Sequence, residues 1–152
     1  IHKKFDSTLA DSLDNEALVI ECLQAKSRIV AQYQNRQYSH AMNAIMQLAD
    51  LANQYIAEQA PWQAIKDPTQ STQVHRVCTT ALNLFRIIIT YLSPVMPETA
   101  AGSYTFLDIP PLSHWDDLDT PLLDHRIAPY QHLLKRIQAT DLPASADNQT
   151  SA

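Results

Sequence analysis

One stretch of the sequence constrains the fold more than any other, because between Tyr38 and Gln59 apolar residues recur at every third or fourth position. This spacing places them on one face of an α-helix. Ala60 precedes Pro61, and a residue before proline is biased away from right-handed helical angles, so the helix should end near Gln59. The apolar face comprises Tyr38, Ala41, Met42, Ile45, Leu48, Ala49, Ala52, Tyr55 and Ile56.

Helical spacing also appears in three other segments. It predicts helices over Asn15–Gln34, with Asp14 as N-cap, over Gln73–Leu92 and over Glu98–Phe106. Residues 66–72 read as a turn before the second of these. The Gln73–Leu92 segment is apolar nearly all round in its second half, so it must be covered on more than one side.

The region from 107 to 128 is rich in proline and irregular. We expect a loop with short extended pieces at Ser113–Trp115 and His125–Ile127, and we expect Trp115 to anchor the loop on the helices. A last helix is predicted to begin at Pro129. Its inner face would carry Tyr130, Leu133, Leu134 and Ile137.

These segments predict an all-α fold, a helical bundle of four to five helices over residues 1–138 with an irregular segment near 107–128. Residues 139–152 show no apolar periodicity and are predicted to be a disordered C-terminal linker. The start, IHKKFDSTL, has neither an initiator Met nor a signal peptide, so the chain is expected to be excised from a longer protein.

Composition excludes several classes of function. Gly102 is the single glycine, so the glycine-rich loops that cradle nucleotide phosphates are absent. No apolar run approaches the length of about 18 residues that a membrane span needs. The formal net charge is −5, from 11 basic and 16 acidic side chains, which argues against a broad electrostatic grip on nucleic acid. Recognition of individual bases by a few residues remains compatible with this charge.

Catalytic and metal-binding patterns are also missing. Of the 6 histidines, only His75 stands at helical spacing from a cysteine, Cys78, and no second pair accompanies them. We therefore expect no catalytic residue, no metal site and no cofactor in this chain. Cys22 and Cys78 both fall on apolar helix faces, as is typical of reduced, packed thiols in a cytoplasmic protein.

Trp62 follows a helix-ending proline, and two interpretations of it stay open. In the first, the indole forms a lid that packs over the core on Tyr55 or Ile65. Alternatively, Pro61 holds it as a rigid, exposed platform on which an unpaired RNA base stacks.

The polar residues of the preceding helix lie beside this platform in the second interpretation. Asp50, Gln54 and Pro61 share one strip of the helix surface, and Asn53 lies at its edge. Asn53 is equally suited to contact a base edge or to hydrogen-bond a neighbouring loop.

Two motifs carry a resemblance to a known family. ADLANQYIAEQAPW at residues 49–62 and LNLFRIIITYLSPVMP at residues 82–97 resemble the anticodon-binding domain of bacterial methionyl-tRNA synthetases. IHKKFD at the start and LLDHRI at residues 122–127 agree as well, so the similarity covers about residues 1–138. It implies the helical bundle that follows the catalytic domain of a class I aminoacyl-tRNA synthetase.

The resemblance implies roles for particular residues. Trp62 would stack on an anticodon base of methionine tRNA, Pro61 would set its orientation, and Asp50 would help to discriminate among tRNAs. Lys3 and Lys4 lie at the end of the segment that carries two further anticodon readers of the family, an Asn and an Arg upstream of this chain. A phosphate contact by these lysines and a purely solvated position are both open.

The resemblance also implies what the parent enzyme uses. Its catalytic domain would join methionine to tRNA with ATP and magnesium. The His-Ile-Gly-His and Lys-Met-Ser-Lys-Ser signatures of that reaction are absent here, so this chain is not expected to activate methionine. An acidic residue frequent in the family at the position of Ala57 is missing too. Two other interpretations remain, a helical protein-interaction module and the anticodon-binding domain of a cysteine, valine, leucine or isoleucine enzyme.

Overall fold

The structure is a computed structural model that describes Ile1, residues 3–112 and residues 114–133. Over these residues the chain is helical, and β-structure is limited to an isolated antiparallel bridge between Thr8 and Arg126. The α-helices are α1 (Glu16–Gln24), α2 (Lys26–Gln34), α3 (Tyr38–Gln59), α4 (Pro61–Ala64), α5 (Ser71–Leu92) and α6 (Pro97–Leu107), with 3₁₀ turns at Pro68–Gln70 and Trp115–Asp119. The prediction of an all-α bundle is confirmed.

The first predicted helix is divided in two. Asn15–Gln34 is interrupted at Ala25, which separates α1 from α2. The N-cap is Asn15, whose side chain accepts a hydrogen bond from the Leu18 N–H at 3.0 Å, so the assignment of the cap to Asp14 was wrong. The Asp14 carboxylate is engaged elsewhere, because it accepts hydrogen bonds from the Tyr55 hydroxyl and the Gln73 amide.

The two long helices, α3 and α5, pack against each other and form the centre of the bundle. The bounds of α3 agree with the prediction at both ends, whereas α5 begins two residues earlier than expected, at Ser71, because the Pro68–Gln70 turn leads directly into it. Helices α1, α2 and α6 surround this pair. The main core contains Leu18, Val19, Cys22, Ile29, Ala44, Ile45, Leu48, Ala52, Tyr55, Val77, Leu84, Ile87, Tyr91 and Leu118.

Helix α5 is covered on more than one side, as its apolar pattern predicts. Leu84, Ile87 and Tyr91 belong to the main core, whereas Leu82 and Phe85 pack against a second cluster at the other side of the helix. Burial of several faces at once also encloses polar side chains. α5 therefore needs hydrogen-bonding partners for those side chains in the neighbouring loops.

Two of these polar side chains hold the irregular segment. The Asn83 side chain accepts a hydrogen bond from the Leu122 N–H at 2.8 Å and donates one to the Leu122 carbonyl at 3.1 Å. The Arg86 guanidinium donates to the carbonyls of Asp117 and Thr120, both at 2.7 Å. These bonds fix a loop that has few backbone hydrogen bonds of its own.

The irregular segment agrees with the sequence prediction only in part. The extended piece at residues 125–127 is confirmed, since the Leu9 N–H donates to the His125 carbonyl at 2.8 Å and the Ile127 N–H to the Ser7 carbonyl at 2.8 Å. The other piece, Ser113–Trp115, is extended at His114 (φ −135°, ψ 143°), but Trp115 begins a 3₁₀ turn, and Ser113 lies outside the described residues. Lys26 stabilises that turn through ion pairs with Asp116 at 2.8 Å and Asp119 at 3.0 Å.

Trp115 anchors the segment as predicted. Its ring centroid lies 5.0 Å from that of Tyr91 and 6.2 Å from that of Tyr33, so the indole packs on the helices of the main core.

The expected helix at Pro129 does not begin there, and residues 129–133 are not helical. The Ala128 N–H donates to the Phe106 carbonyl at 2.9 Å, which ties this stretch to α6 along a non-helical path. Leu134, Ile137 and the linker predicted over 139–152 lie outside the described residues. Among the described helices, none is both long and apolar enough to cross a membrane.

Candidate nucleic-acid interface

The end of α3 determines where Trp62 stands. Ala60 adopts left-handed angles, φ 39° and ψ 55°, and its N–H donates to the Ile56 carbonyl at 3.0 Å, which closes the last turn of the helix. The chain then reverses into α4, with Pro61 at its first position. Proline suits this position because it has the backbone angle of a helix and lacks an N–H that would be left unpaired. The expected end of the long helix before Pro61 is thus confirmed.

Hydrogen bonds fix the backbone on both sides of Trp62. The Ala60 carbonyl accepts from the Gln63 N–H at 2.8 Å and from the Ala64 N–H at 3.1 Å, and the Pro61 carbonyl accepts from the Ile65 N–H at 3.0 Å. The tryptophan therefore belongs to a closed helical turn. A flexible connection would not hold the ring in one orientation.

The indole of Trp62 lies at the surface, with 55% of the residue exposed. The ring is therefore not sealed in the core, which favours the platform over the lid. A large exposed aromatic ring on a rigid backbone is the arrangement on which an unpaired base can stack.

A groove of about 290 Å³ lies beside this ring. Its volume is close to the lower limit for small-molecule sites, which is about 300 Å³. We refer to it as the Trp62 groove. Its residues come from α4 and the residue after it, from the N-terminal segment and from α5: Pro61, Trp62 and Ile65; Ile1, Lys4 and Phe5; Val74 and Cys78.

The N-terminal segment folds into a turn that faces Trp62. The Phe5 N–H donates to the Ile1 carbonyl at 2.8 Å, and the Phe5 carbonyl accepts from the Thr8 N–H at 2.8 Å. The Phe5 ring stacks on the imidazole of His75 with centroids 4.1 Å apart and planes 4° from parallel. A ring nitrogen of His75 also lies 2.8 Å from the Thr8 carbonyl oxygen, so the turn is attached to α5 at two points.

The predicted site residues are only partly brought together. Pro61, Trp62 and Lys4 line the groove, whereas Lys3 is exposed and does not line it. Asp50, Asn53 and Gln54 are exposed on α3 and do not line it either.

The polar residues of α3 are spread along the helix axis. At 1.5 Å per residue, Asp50 lies about 14 Å before the end of α3, so it is well separated along the helix axis from the turn that carries Trp62. Gln54 donates a hydrogen bond to the Glu58 carboxylate at 2.8 Å, so its amide is already engaged.

Two features of the site were missed by the sequence analysis. The stack of Phe5 on His75 joins residues 70 positions apart, and no local pattern indicates it. Cys78 lines the groove instead of serving only as a core residue, and burial raises the pKa of its thiol above the ordinary value. Cys78 therefore contributes a neutral, apolar surface.

A larger cavity of about 350 Å³ adjoins the groove and shares Ile1, Pro61 and Cys78 with it. Its other residues are Ile56, Val77, Ala81, Leu82, Phe106, Ile127, Ala128 and Tyr130. None of the described residues that line it is charged. The described part of the chain contains no group of three or more His, Cys, Asp or Glu that could hold a metal ion.

The sequence model of one family, described as the anticodon binding domain of methionyl tRNA ligase, matches residues 9–139. This chain belongs to that family. The match includes the end of α3, the Ala-Pro-Trp turn and the whole of α5. It favours the methionyl enzymes over the related cysteine, valine, leucine and isoleucine enzymes.

A curated relative gives the same result. The methionine--tRNA ligase of Thiobacillus denitrificans (strain ATCC 25259 / T1) is 44% identical over 147 residues, which is 97% of this chain and 21% of the relative. The chain thus spans about a fifth of that relative's length.

Solved structures show the same fold. The apo form of Mycobacterium tuberculosis methionyl-tRNA synthetase superposes with a TM-score of 0.82 at 20% identity, over 90% of this chain and 29% of that one. The same enzyme in complex with methionyl-adenylate gives a TM-score of 0.81 at 20% identity, over 89% of this chain and 28% of that one. At this identity the likeness concerns the fold of the anticodon-binding domain.

Proposed function

We propose that this chain is the part of a methionine--tRNA ligase that recognises the anticodon loop of methionine tRNA. The observation that supports this most directly is the indole of Trp62, which is exposed and held by a hydrogen-bonded turn in a domain of the methionyl-tRNA ligase family. An anticodon loop presents unstacked bases, and an aromatic platform recovers for such a base the stacking it has lost.

Other residues near Trp62 add further contacts to the anticodon loop. Pro61 sets the orientation of the indole, and Asp50 and Asn53 offer polar groups along the exposed face of α3. Gln54 lies on the same face and offers the part of its amide that is not bonded to Glu58. Asp50 carries a negative charge on this face and disfavours tRNAs whose phosphates approach it. Lys4 brings positive charge to the groove beside Trp62, whereas Lys3 is exposed and does not line it.

The chemical reaction takes place elsewhere in the complete ligase. Its catalytic domain joins methionine to tRNA with ATP and magnesium, in the cytoplasm, and this chain contributes recognition only. Because the domain reads a few bases and the remaining surface of the tRNA is held by other domains, a formal net charge of −5 is compatible with this function.

The experiment compares two steps of the complete ligase. Base stacking is worth about 1 to 3 kcal/mol, so Trp62→Ala should lower kcat/KM for aminoacylation by about fivefold to 150-fold. Methionine-dependent ATP–pyrophosphate exchange should be unchanged because it does not involve the anticodon.

The chain offers a matched control. Tyr38 is 54% exposed, close to the 55% of Trp62, and stands at the opposite end of α3. Tyr38→Ala should leave both steps unchanged, and Trp62→Phe, which keeps an aromatic face, should lose less than Trp62→Ala. Equal losses in aminoacylation and pyrophosphate exchange for Trp62→Ala would contradict the proposal.

A further inference from the structure

The two adjacent lysines of the N-terminal segment differ in their position relative to the Trp62 groove. Lys3 and Lys4 are both exposed, but Lys4 alone of the two lines the groove together with Trp62. The ion pairs among the described residues all belong to Lys26, so the ammonium group of Lys4 has no carboxylate partner there. Asp6 lies two positions further on and is not among the residues that line the groove.

Most residues that line the groove are apolar, and Trp62 and Lys4 are the two that suit a nucleotide. The indole can stack on a base, and the ammonium group can pair with the attached phosphate. The adjoining cavity lacks any charged residue among its described lining and does not match this pattern. The Trp62 groove thus differs from the adjoining cavity by the ammonium group of Lys4.

The position of Lys4 is determined by the residue that follows it. Phe5 is stacked on His75 with centroids 4.1 Å apart, and His75 contacts the Thr8 carbonyl oxygen at 2.8 Å. The backbone around Lys4 is thereby held against α5, the same helix that supplies Val74 and Cys78 to the groove. Residues 7–9 are also held by hydrogen bonds to residues 125–127, and the stack of Phe5 on His75 is the attachment next to Lys4.

We propose that Lys4, positioned by the stack of Phe5 on His75, contacts the phosphate of the nucleotide whose base stacks on Trp62. This inference rests on the proposed function and adds to it one phosphate-binding residue and one positioning residue, His75. Lys3 has no such role, although it carries the same charge one position away.

The test measures how salt affects the binding of an RNA hairpin that carries the anticodon loop of methionine tRNA to the complete ligase. Each phosphate contact on a single strand contributes about 0.7 to the slope of log K against log salt concentration. Lys4→Ala should reduce the magnitude of the slope by about 0.7, and Lys3→Ala should leave the slope unchanged. Both side chains are exposed, so neither change should disturb folding.

His75 is tested through the same slope. His75→Ala should reduce the magnitude of the slope in part. His75→Phe, which keeps a ring for Phe5 but loses the hydrogen bond to the Thr8 carbonyl, should restore part of that loss. In a Lys4→Ala background, His75→Ala should have no further effect on the slope, because its role is exerted through Lys4. A purely structural role of His75 would lower thermal stability in both backgrounds and leave the slope unchanged.

The outcomes separate this inference from the proposed function. If Trp62→Ala weakens binding while Lys4→Ala leaves the slope unchanged, or if the two lysine variants lower it equally, the inference is overturned and the proposed function stands. If Trp62→Ala has no effect on binding, the proposed function itself fails.

Discussion

The side of α5 that faces the irregular segment (the loop side) and the Trp62 groove differ in how their polar side chains are buried and hydrogen-bonded. On the loop side, Asn83 and Arg86 are buried at 2% and 5% exposure and hydrogen-bond to backbone groups of the irregular segment. In the groove, Trp62 and Lys4 are exposed, and Lys4 has no ion-pair partner among the described residues. Asn83 and the two terminal nitrogens of Arg86 are used in hydrogen bonds within the fold, although the Arg86 Nε has no partner in the described part of the chain, whereas the groups proposed for recognition are left available on a rigid support.

The strongest test of this contrast removes Arg86. Arg86→Met takes away charged hydrogen bonds to the carbonyls of Asp117 and Thr120, so we expect the free energy of unfolding to fall by about 3 kcal/mol. Urea denaturation monitored by circular dichroism measures this. Arg76→Met is the matched control, because Arg76 is exposed on the same helix and its change should stay within about 0.5 kcal/mol. A loss below about 1 kcal/mol for Arg86→Met would show that the loop does not depend on it.

The two tryptophans provide a second test. Trp115 packs between Tyr33 and Tyr91, and since it is only partly buried, Trp115→Ala should lower the free energy of unfolding by about 2 kcal/mol. Trp62→Ala should change it by less than about 0.5 kcal/mol, because most of that ring already faces water. The same urea titrations compare both variants. Comparable losses for the two would mean that Trp62 has a structural role after all.

The sequence predicted the regular elements well where local chemistry decides them. The end of α3 follows from Ala60 and Pro61, because the steric restriction before proline acts on adjacent residues. The break at Ala25 was not predictable, since Ala25 has φ −68° and ψ −15° and is itself a good helix former. No local signal marks it.

The misplaced N-cap has a related cause. Asp14 and Asn15 are both capping residues and stand side by side, so the sequence could not choose between them. Tyr55 and Gln73, which are distant along the chain, engage Asp14 and leave Asn15 as the cap. Long-range contacts decided a local feature.

The candidate site was predicted as a list of residues but not as a surface. Trp62 was identified by its position after Pro61, yet its exposure depends on how α4 turns away from the core. The pairing of Lys4 with Trp62 depends on the stack of Phe5 on His75, which joins the N-terminus to α5. Such contacts are a product of the tertiary structure, and spacing along the chain does not encode them.

The smallest expected effect concerns the turn that supports Trp62. Ala60 has φ 39°, a left-handed angle that costs a residue with a side chain about 1 to 2 kcal/mol. Ala60→Gly removes this strain. Glycine also makes the unfolded chain more flexible, which costs about 0.5 to 1 kcal/mol of stability. The free energy of unfolding should therefore stay equal or rise by up to about 1 kcal/mol. Ala57→Gly, three residues earlier on the exposed face of α3, should instead lower it by about 1 kcal/mol.

The two glycine variants also separate stability from rigidity. Ala60→Gly gives the turn freedom that Ala57→Gly does not, so it alone should weaken binding of the anticodon hairpin, by about twofold. Fluorescence titration and urea denaturation of both variants would measure the two quantities. If both glycines reduce stability equally and neither affects binding, the left-handed angle at Ala60 does not support the platform. In that case Pro61 and the hydrogen bonds of α4 hold the indole without help from the preceding residue.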